Sequence, residues 1–569
     1  MKLNASLDRT LEKQNRAHHE ESSCVDCKAG TPIKNAIWTT LDGLSSVDSA
    51  GIMQSFDGEN VLLLPLTHAL VVGSTGTGKS EVFYKNQLRA FARMPETVKP
   101  SVFITDVKGE LYGQLAPLLA ESGYITKVFD MRKPYQTARY NFLSRIYDDY
   151  TESRAIQKEL DAGNIGQVFA GKRYKSVEHA RYAAEARVAF LIDRAERAIV
   201  ELSFIIVDSR DVKERVWTDG AKNMIQSIIW TMLKRSEDTY KPVTRDHFTI
   251  ANVCRAAYST GEDCDEITEW LEKASDILCV KSAITSNYKL RAKTTRDGYI
   301  STLNTNLGQY SSRSIGAMTG TSSDLEIGEI AKSEKPYAIF VITDDRQQTT
   351  NNICMIFINS LLNELVDVAD QSPTHSLPRD FVILADEFAN MPPLPSISNK
   401  ITTLRSRRIW MVMAIQSLPQ LEMVYGKEAS SIIQDNCDLQ IFLGCNNDET
   451  KEAFAKSMGR KIGVTTSFGI HNDGSVSVNK STADVPVIRK SDLDSLSLGE
   501  FYARSRLCGN FKSYIVPYFM QECARVYEAY EPDFRRYNPD QYVYDLYDIV
   551  EEEHRRRGNA NPRKFNFDF

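Results

Sequence analysis

The sequence predicts an α/β protein: a parallel β-sheet covered by helices on both faces, interrupted by an all-helical insertion. Three observations carry that prediction. Short apolar runs recur at residues 69–72, 102–104, 337–342, 381–385, 410–415 and 439–443. Runs that are apolar throughout are what strands buried on both faces of a parallel sheet require. Between about 145 and 330 such runs are missing, and Val188, Leu191, Ile192, Ala195, Ala198, Ile199, Leu202 and Ile206 follow one another at spacings of three and four, the apolar stripe of a helix. Finally, the first run ends in a glycine-rich loop, the usual junction between a buried strand and the helix after it.

In chain order, residues 1–58 are polar and weakly patterned and are expected to form an arm, without a membrane span, leading into the first strand. The first part of the α/β domain follows over 59–145, with strands at 69–72 and 102–104. The all-α domain is expected over 146–330, with further helical periodicity at 221–233 and 265–278. The second part of the α/β domain runs over 331–530 and holds the other four strands. Within it, Thr466-Ser467-Phe468 and Val476-Ser477-Val478 flank Asn472-Asp473-Gly474, which signals a hairpin. Residues 531–569, with Glu551-Glu552-Glu553-His554-Arg555-Arg556-Arg557, read as a charged, solvated tail ending in the aromatic–polar alternation of 564–569.

The composition bounds the function classes. With 569 residues, 42% hydrophobic and 25% charged, the chain is an ordinary globular protein of several domains, neither disordered throughout nor collagen-like. Its net charge of −6 excludes a protein that coats nucleic acid over its whole surface, so any such contact belongs to a local patch or channel. Ten cysteines, of which only Cys24 and Cys27 are close together, fit a reducing compartment and not a disulfide framework. The first residues have no apolar stretch, and the run over 61–72 is broken by Pro65, Thr67 and His68, well short of the roughly 20 residues a bilayer span needs. The expected location is cytoplasmic, with no transmembrane segment.

The chemistry is carried by four motifs. Gly73-Ser74-Thr75-Gly76-Thr77-Gly78-Lys79-Ser80 fits G-x-x-x-x-G-K-[ST] directly after a strand. Its glycines let backbone N–H groups curl around phosphate oxygens, Lys79 reaches the β- and γ-phosphates, and Ser80 ligates Mg²⁺. The second is the strand over 381–385, which ends in Asp386-Glu387. Asp386 is expected to hold Mg²⁺ opposite the loop and Glu387 to polarise the attacking water, an acid that a hydrolase needs and a simple switch does not. Third, the strand over 410–415 ends in Gln416, either a polar strand end that caps the next helix or a sensor of the γ-phosphate. Last, Arg405, Arg407 and Arg408 precede that strand; Arg405 is the choice for an arginine that neutralises transition-state charge in a neighbouring subunit.

These residues resemble a known family. The loop over 73–80, Asp106-Val107-Lys108-Gly109-Glu110-Leu111, Asp386-Glu387-Phe388, Arg405-Ser406-Arg407, Gln416-Ser417-Leu418-Pro419-Gln420-Leu421, Asn436-Cys437-Asp438, Phe442-Leu443-Gly444, Glu449-Thr450 and Ser457-Met458-Gly459 look like those of the type IV secretion coupling proteins. These are the TraG/TraD-type conjugation ATPases, and the Gram-positive branch is the most similar. The resemblance covers about 65–520 and implies a RecA-like P-loop nucleotide-binding domain with an inserted all-α domain that meets substrate. It further implies ATP and Mg²⁺ as cofactors and a hexameric ring. The chain would dock a relaxase–DNA complex (the relaxosome) to the channel proteins of a type IV secretion system and drive single-stranded DNA through. Members usually begin with membrane-spanning helices; this chain has none, so it is expected at the inner face of the cell membrane through a membrane-anchored partner. Two other readings stay open: an FtsK/HerA-like duplex DNA translocase, and a receptor for relaxase that ATP orders without pumping.

Two weaker signals complete the reading. Across 281–320 six basic residues, Lys281, Lys289, Arg291, Lys293, Arg296 and Arg313, face one acid, Asp297, with Tyr288, Tyr299 and Tyr310 interleaved. That is either a solvated helix face or a binding surface for single-stranded DNA, which combines cations with aromatic platforms. His18, His19, Cys24 and Cys27 lack the second ligand pair that a C-x₂-C zinc site commonly needs, and no metal is expected there.

Overall fold

The computed structural model describes residues 24–207, 215–259, 263–320, 323–344, 348–470, 476–525, 543–544 and 546–556. The chain divides into two compact units: Met1–Val128 with Ile327–Thr343 and Asn363–Glu531, and Phe129–Glu326 with Asp344–Leu362 and Pro532–Phe569.

The first unit is built on a ten-stranded sheet. In chain order its strands are β1 (Cys24–Asp26), β2 (Ala69–Gly73), β3 (Ser101–Asp106), β4 (Ile125–Asp130), β5 (Tyr337–Ile342), β6 (Phe381–Ala385), β7 (Ile409–Ile415), β8 (Leu439–Gly444), β9 (Glu500–Ser505) and β10 (Gly509–Tyr514). Across the sheet the order is β1-β10-β9-β8-β2-β7-β6-β3-β5-β4. The six neighbours from β8 to β5 are parallel, and β9 runs antiparallel to both β8 and β10. All six apolar runs singled out in the sequence are strands of this sheet. They are Val-, Ile- and Phe-rich because a pleated surface buried on both faces favours branched and aromatic side chains.

Residues 24–58 differ from the expected polar arm. β1 pairs with β10, and strands over Ile37–Thr40, Gly51–Phe56 and Asn60–Pro65 form an antiparallel sheet. Gly51–Phe56 is buried along its whole length. Gln54 and Ser55 break its apolar residues, and the side chains that meet its backbone are remote in sequence: the Met53 N–H donates to Gln87 Oε1 at 2.7 Å, and Ser513 Oγ donates to the Gln54 carbonyl at 2.6 Å. The hairpin forms from Arg460–Ile470 and Val476–Pro486, with Ile470 opposite Val476; its Asn472-Asp473-Gly474 turn lies outside the described residues.

The second unit is mainly helical. It begins at Phe129 and takes in Asp344–Leu362 and Pro532–Phe569, and so extends beyond the expected 146–330. In its longest helix, Val177–Ile206, the Ser176 hydroxyl caps the start by accepting from the His179 N–H. Leu191, Ala195, Ile199, Leu202 and Ile206 of the expected stripe are buried. Arg194 of this helix grips Asp149 of Ser144–Asp161 with two bonds of 2.6 and 2.5 Å, both side chains buried. Part of the expected solvated tail is also built in: Leu546–Arg556 is a helix whose Leu546, Ile549 and Val550 are buried. Its Glu553 pairs with the buried Arg235 at 3.0 Å. An acidic–basic run reads as solvated when its few apolar residues, one helical turn apart, are passed over.

The basic stretch over 281–320 is corrected in its aromatic half. Tyr288 and Tyr310 are fully buried, and Tyr299 packs edge-on against Trp217 at 5.4 Å, so two of the three rings belong to the core and not to a stacking surface. Lys289 pairs with Glu272 and Arg296 with Asp297, while Arg291 and Lys293 are exposed. Thr349–Gln371 is the one helical stretch among the described residues long and apolar enough to cross a bilayer, and 67% of its apolar window is buried in the protein.

Candidate functional site

The sheet order explains why the site lies where it does. β7 sits between β2, which leads into the phosphate loop, and β6, which leads into Asp386-Glu387, and all three are parallel. Their C-terminal ends therefore open on one edge, where ligands of open α/β sheets bind. Ile415 pairs with Val72 and Ala385 with Met413, so Gln416 leaves the sheet between the loop and the two acids.

The loop over 73–80 is held by its own groups. The Ser74 N–H donates to the Gly444 carbonyl at 2.8 Å, tying the loop to the end of β8. Thr77 Oγ1 donates to the Ser74 carbonyl at 2.8 Å, and the buried Lys79 Nζ donates to the Gly73 carbonyl at 2.7 Å. Gly76 and Gly78 take φ of +86° and +91°, where a side chain is strained. A Cβ at Gly78 would also stand 2.8 Å from Val82 Cγ2. The chain then enters a π-helical turn over Lys79–Tyr84 that continues as the α-helix Lys85–Arg93. Thr75 and Gly76 are exposed and Ser80 is half-buried; the Thr77 N–H donates to the Ser74 carbonyl at 3.2 Å, and the loop leads straight into a helix N-terminus, where anions are favoured.

Opposite stands Asp386. Its N–H donates to Thr105 Oγ1 at 2.7 Å, and Thr105 Oγ1 donates back to the Asp386 carbonyl at 3.1 Å. Asp386 Oδ1 accepts from the Glu387 N–H at 3.0 Å. Burial pushes the Asp386 carboxyl up to about 6; the Lys79 ammonium opposes that rise and the Glu387 and Asp106 carboxylates add to it. Asp386 is half-buried, and the Glu387 and Asp106 carboxylates act on it; its oxygens and the half-buried Ser80 hydroxyl are of the hard kind that Mg²⁺ prefers.

Glu387 takes a left-handed φ of +53°. Its carbonyl accepts from the Asn390 N–H at 2.8 Å, and its Oε2 accepts from Asn390 Nδ2 at 2.7 Å. Tyr84, whose hydroxyl burial pushes well up, donates to the Ala385 carbonyl at 3.3 Å. Asp106 caps the helix Glu110–Glu121, accepting from the Gly109 and Tyr112 N–H groups at 2.8 and 2.9 Å.

The structure thus brings the loop, Asp386, Glu387 and Gln416 to one edge. It does not bring Arg405 there. Arg405 opens the turn before β7, and that seven-residue strand separates it from Gln416 by about 20 Å. Arg407 pairs with Asp370 and Arg408 with Asp380 at 2.7 and 2.6 Å, whereas the exposed Arg405 side chain has no ion-pair partner among the described residues. Thr105 and Asn390 belong to no motif, and Gln420 lies in the 416–421 motif without a role of its own there; the register of β3 against β6 and the fold of the segment after Glu387 make them site residues. At the C-x₂-C pair, burial pushes the Cys24 thiol up to about 12. Among the described residues no group of three or more His, Cys, Asp or Glu could hold a metal; His18 and His19 lie outside them.

Residues 5–489 match the family model described as Type IV secretory system Conjugative DNA transfer. Among solved structures, the bacterial conjugative coupling protein TrwBdeltaN70 in an unbound monoclinic form is similar at 13% identity and a TM-score of 0.54, over 90% of this chain and 98% of that one. TrwB with the non-hydrolysable ATP analogue ADPNP gives 13% and 0.55 over 90% and 99%, and TrwB with ADP and Mg²⁺ gives 13% and 0.51 over 90% and 98%. At that identity the likeness shows the fold. No curated protein matches the chain in sequence.

Proposed function

The chain belongs to the type IV secretory system family of conjugative DNA transfer, and from that premise we propose that it is the coupling ATPase of such a system, recruiting a relaxase–DNA complex to the secretion channel and driving single-stranded DNA through it. The observation that carries the reading is the convergence of phosphate loop, paired acids and Gln416 on one edge of the parallel sheet.

ATP phosphates sit on the N–H groups of Gly76, Thr77, Gly78 and Lys79; for this the Thr77 N–H exchanges the Ser74 carbonyl, and the Lys79 ammonium the Gly73 carbonyl, for a phosphate oxygen. Ser80 and Asp386 would hold Mg²⁺, which would supply charge neutralisation to the phosphates. Glu387 polarises the attacking water, and Gln416, between loop and acids, reports whether the γ-phosphate is present. Little covalent work falls to the protein, since phosphoryl transfer is chiefly positioning and electrostatics. The bound ADPNP and ADP–Mg²⁺ of TrwB support the choice of nucleotide and metal.

Arg405 serves a neighbouring copy in a hexameric ring, which its exposure and its distance from its own site support. Arg291 and Lys293 contribute to the DNA contact through charge. A membrane-anchored partner brings the chain to the inner face of the membrane. The test is conjugative transfer from cells whose native chain is replaced by Lys79→Ala or Glu387→Gln at unchanged protein level. Transfer must fall to background with both; transfer at native frequency would contradict the reading.

A further inference from the structure

A line of hydrogen bonds runs from Glu387 to the end of β7. Asn390 Nδ2 donates to Glu387 Oε2 at 2.7 Å. Gln420 Nε2 donates to Asn390 Oδ1, and Gln420 Oε1 accepts from the Gln416 backbone N–H at 3.3 Å. Chemistry fixes the direction at both ends. An ionised carboxylate only accepts and a backbone N–H only donates. Each of the two amides between them therefore has one orientation that satisfies all three bonds; turning either sets oxygen against oxygen.

Asn390 holds Glu387 twice, by side chain and, through its own N–H, by the Glu387 carbonyl at 2.8 Å. The left-handed φ of Glu387 is unfavourable for a residue with a side chain, and such a conformation persists only where surrounding contacts over-determine it. The Asp386 carboxylate on the Glu387 N–H is one such contact, and Asn390 supplies the other two.

We propose that Asn390 and Gln420 are positioning residues for ATP hydrolysis: they set the orientation of the Glu387 carboxylate and tie it to the strand end that carries Gln416. A displacement of Gln416 is then passed through Gln420 and Asn390 to the water-activating acid. The inference rests on the reading of Glu387 as that acid. Asn390 is exposed and Gln420 half-buried, so both can be replaced without opening a core cavity.

The test is steady-state ATP turnover by the full chain, with ADP affinity measured alongside, for Asn390→Ala, Gln420→Ala, their double variant and Gln420→Glu, against Glu387→Gln. Each alanine variant should lower kcat about 3- to 10-fold, one hydrogen bond's worth, with KM and ADP affinity unchanged within about twofold. The double variant should be no worse than the worse single one, because the two act as one line. Gln420→Glu cannot donate to Asn390 Oδ1 and draws the Asn390 amide round, so its kcat should fall at least as far as that of Asn390→Ala. Wild-type kcat in the alanine variants, losses that multiply in the double variant, or ADP affinity that falls with turnover would each overturn the positioning role while Glu387→Gln stays inactive. Wild-type turnover by Glu387→Gln would overturn the assignment of that acid, and this inference with it.

Discussion

Lys79 Nζ donates to the carbonyl of Gly73, six residues earlier, at 2.7 Å. The loop closes on itself with the cation that phosphate binding needs, and the same ammonium stabilises the Asp386 carboxylate across the site. Lys79→Ala should therefore abolish the rise in melting temperature that nucleotide produces, while shifting the stability of the unliganded protein by only about 1 kcal/mol, the worth of one hydrogen bond. Thermal melts with and without ATP check both halves.

Asp386 makes the site pH-dependent, and the sign follows from its raised pKa. A carboxyl near 6 in the folded chain against 3.8 unfolded costs stability once ionised. The folded state is favoured by this group below about pH 4, and that advantage is lost as pH rises through about 6. Asp386→Asn should stabilise the metal-free protein at pH 7 by on the order of 2 kcal/mol and have little effect near pH 4. Mg²⁺ affinity of the native chain should weaken below about pH 6, since proton and metal compete for one carboxylate. Urea melts and Mg²⁺ titrations across that range test the pair.

Gly76 and Gly78 separate two costs. Gly76→Ala meets open space and suffers only from its positive φ, about 1–2 kcal/mol. Gly78→Ala adds a contact of 2.8 Å with Val82. The second variant should be the less stable of the two and should lose nucleotide binding; equal melting temperatures would mean that the clash is relieved at no cost.

In the helical unit, Arg194→Ala leaves the buried Asp149 with Arg145, at 3.0 Å, as its remaining arginine and should cost about 1.5–3 kcal/mol in urea unfolding. Replacing Lys289, Arg291 and Lys293 by Ala should instead leave stability nearly unchanged. Affinity for single-stranded DNA should weaken, and the salt dependence should become shallower by about 0.7 in log–log slope for each phosphate that is no longer neutralised. Tyr288→Ala, at a fully buried ring, should behave like the core variant and not like the basic ones.

What the sequence disclosed follows the range of the interactions involved. The six central strands were legible because burial on both faces makes each uniformly apolar, a local signal. The loop over 73–80, Asp386-Glu387 and Gln416 were legible as strand-end motifs, and β7 does lie between the two motif strands. Gly51–Phe56 was not, since its polar groups are met by Gln87 and Ser513, far along the chain. Tyr288 and Tyr310 misled because an aromatic residue in a basic, polar stretch looks like a surface group until its packing is known: Tyr288 ends a helical turn and Tyr310 lies in the turn after Lys293–Gly308, and both are buried. Thr105 and Gln420 escaped for the same reason as Gly51–Phe56: each gains its role from a partner on another element; Asn390 gains its role from the tight turn that folds it back on Glu387.

The central claim is that this chain is a DNA-responsive ATPase. The measurement that tests it most directly is ATP turnover by the purified protein with single-stranded, double-stranded or no DNA, beside Lys79→Ala and Glu387→Gln. The account predicts turnover that single strands stimulate and that both variants lose. Turnover driven by duplex alone, or no turnover under any condition with ATP still bound, would contradict it.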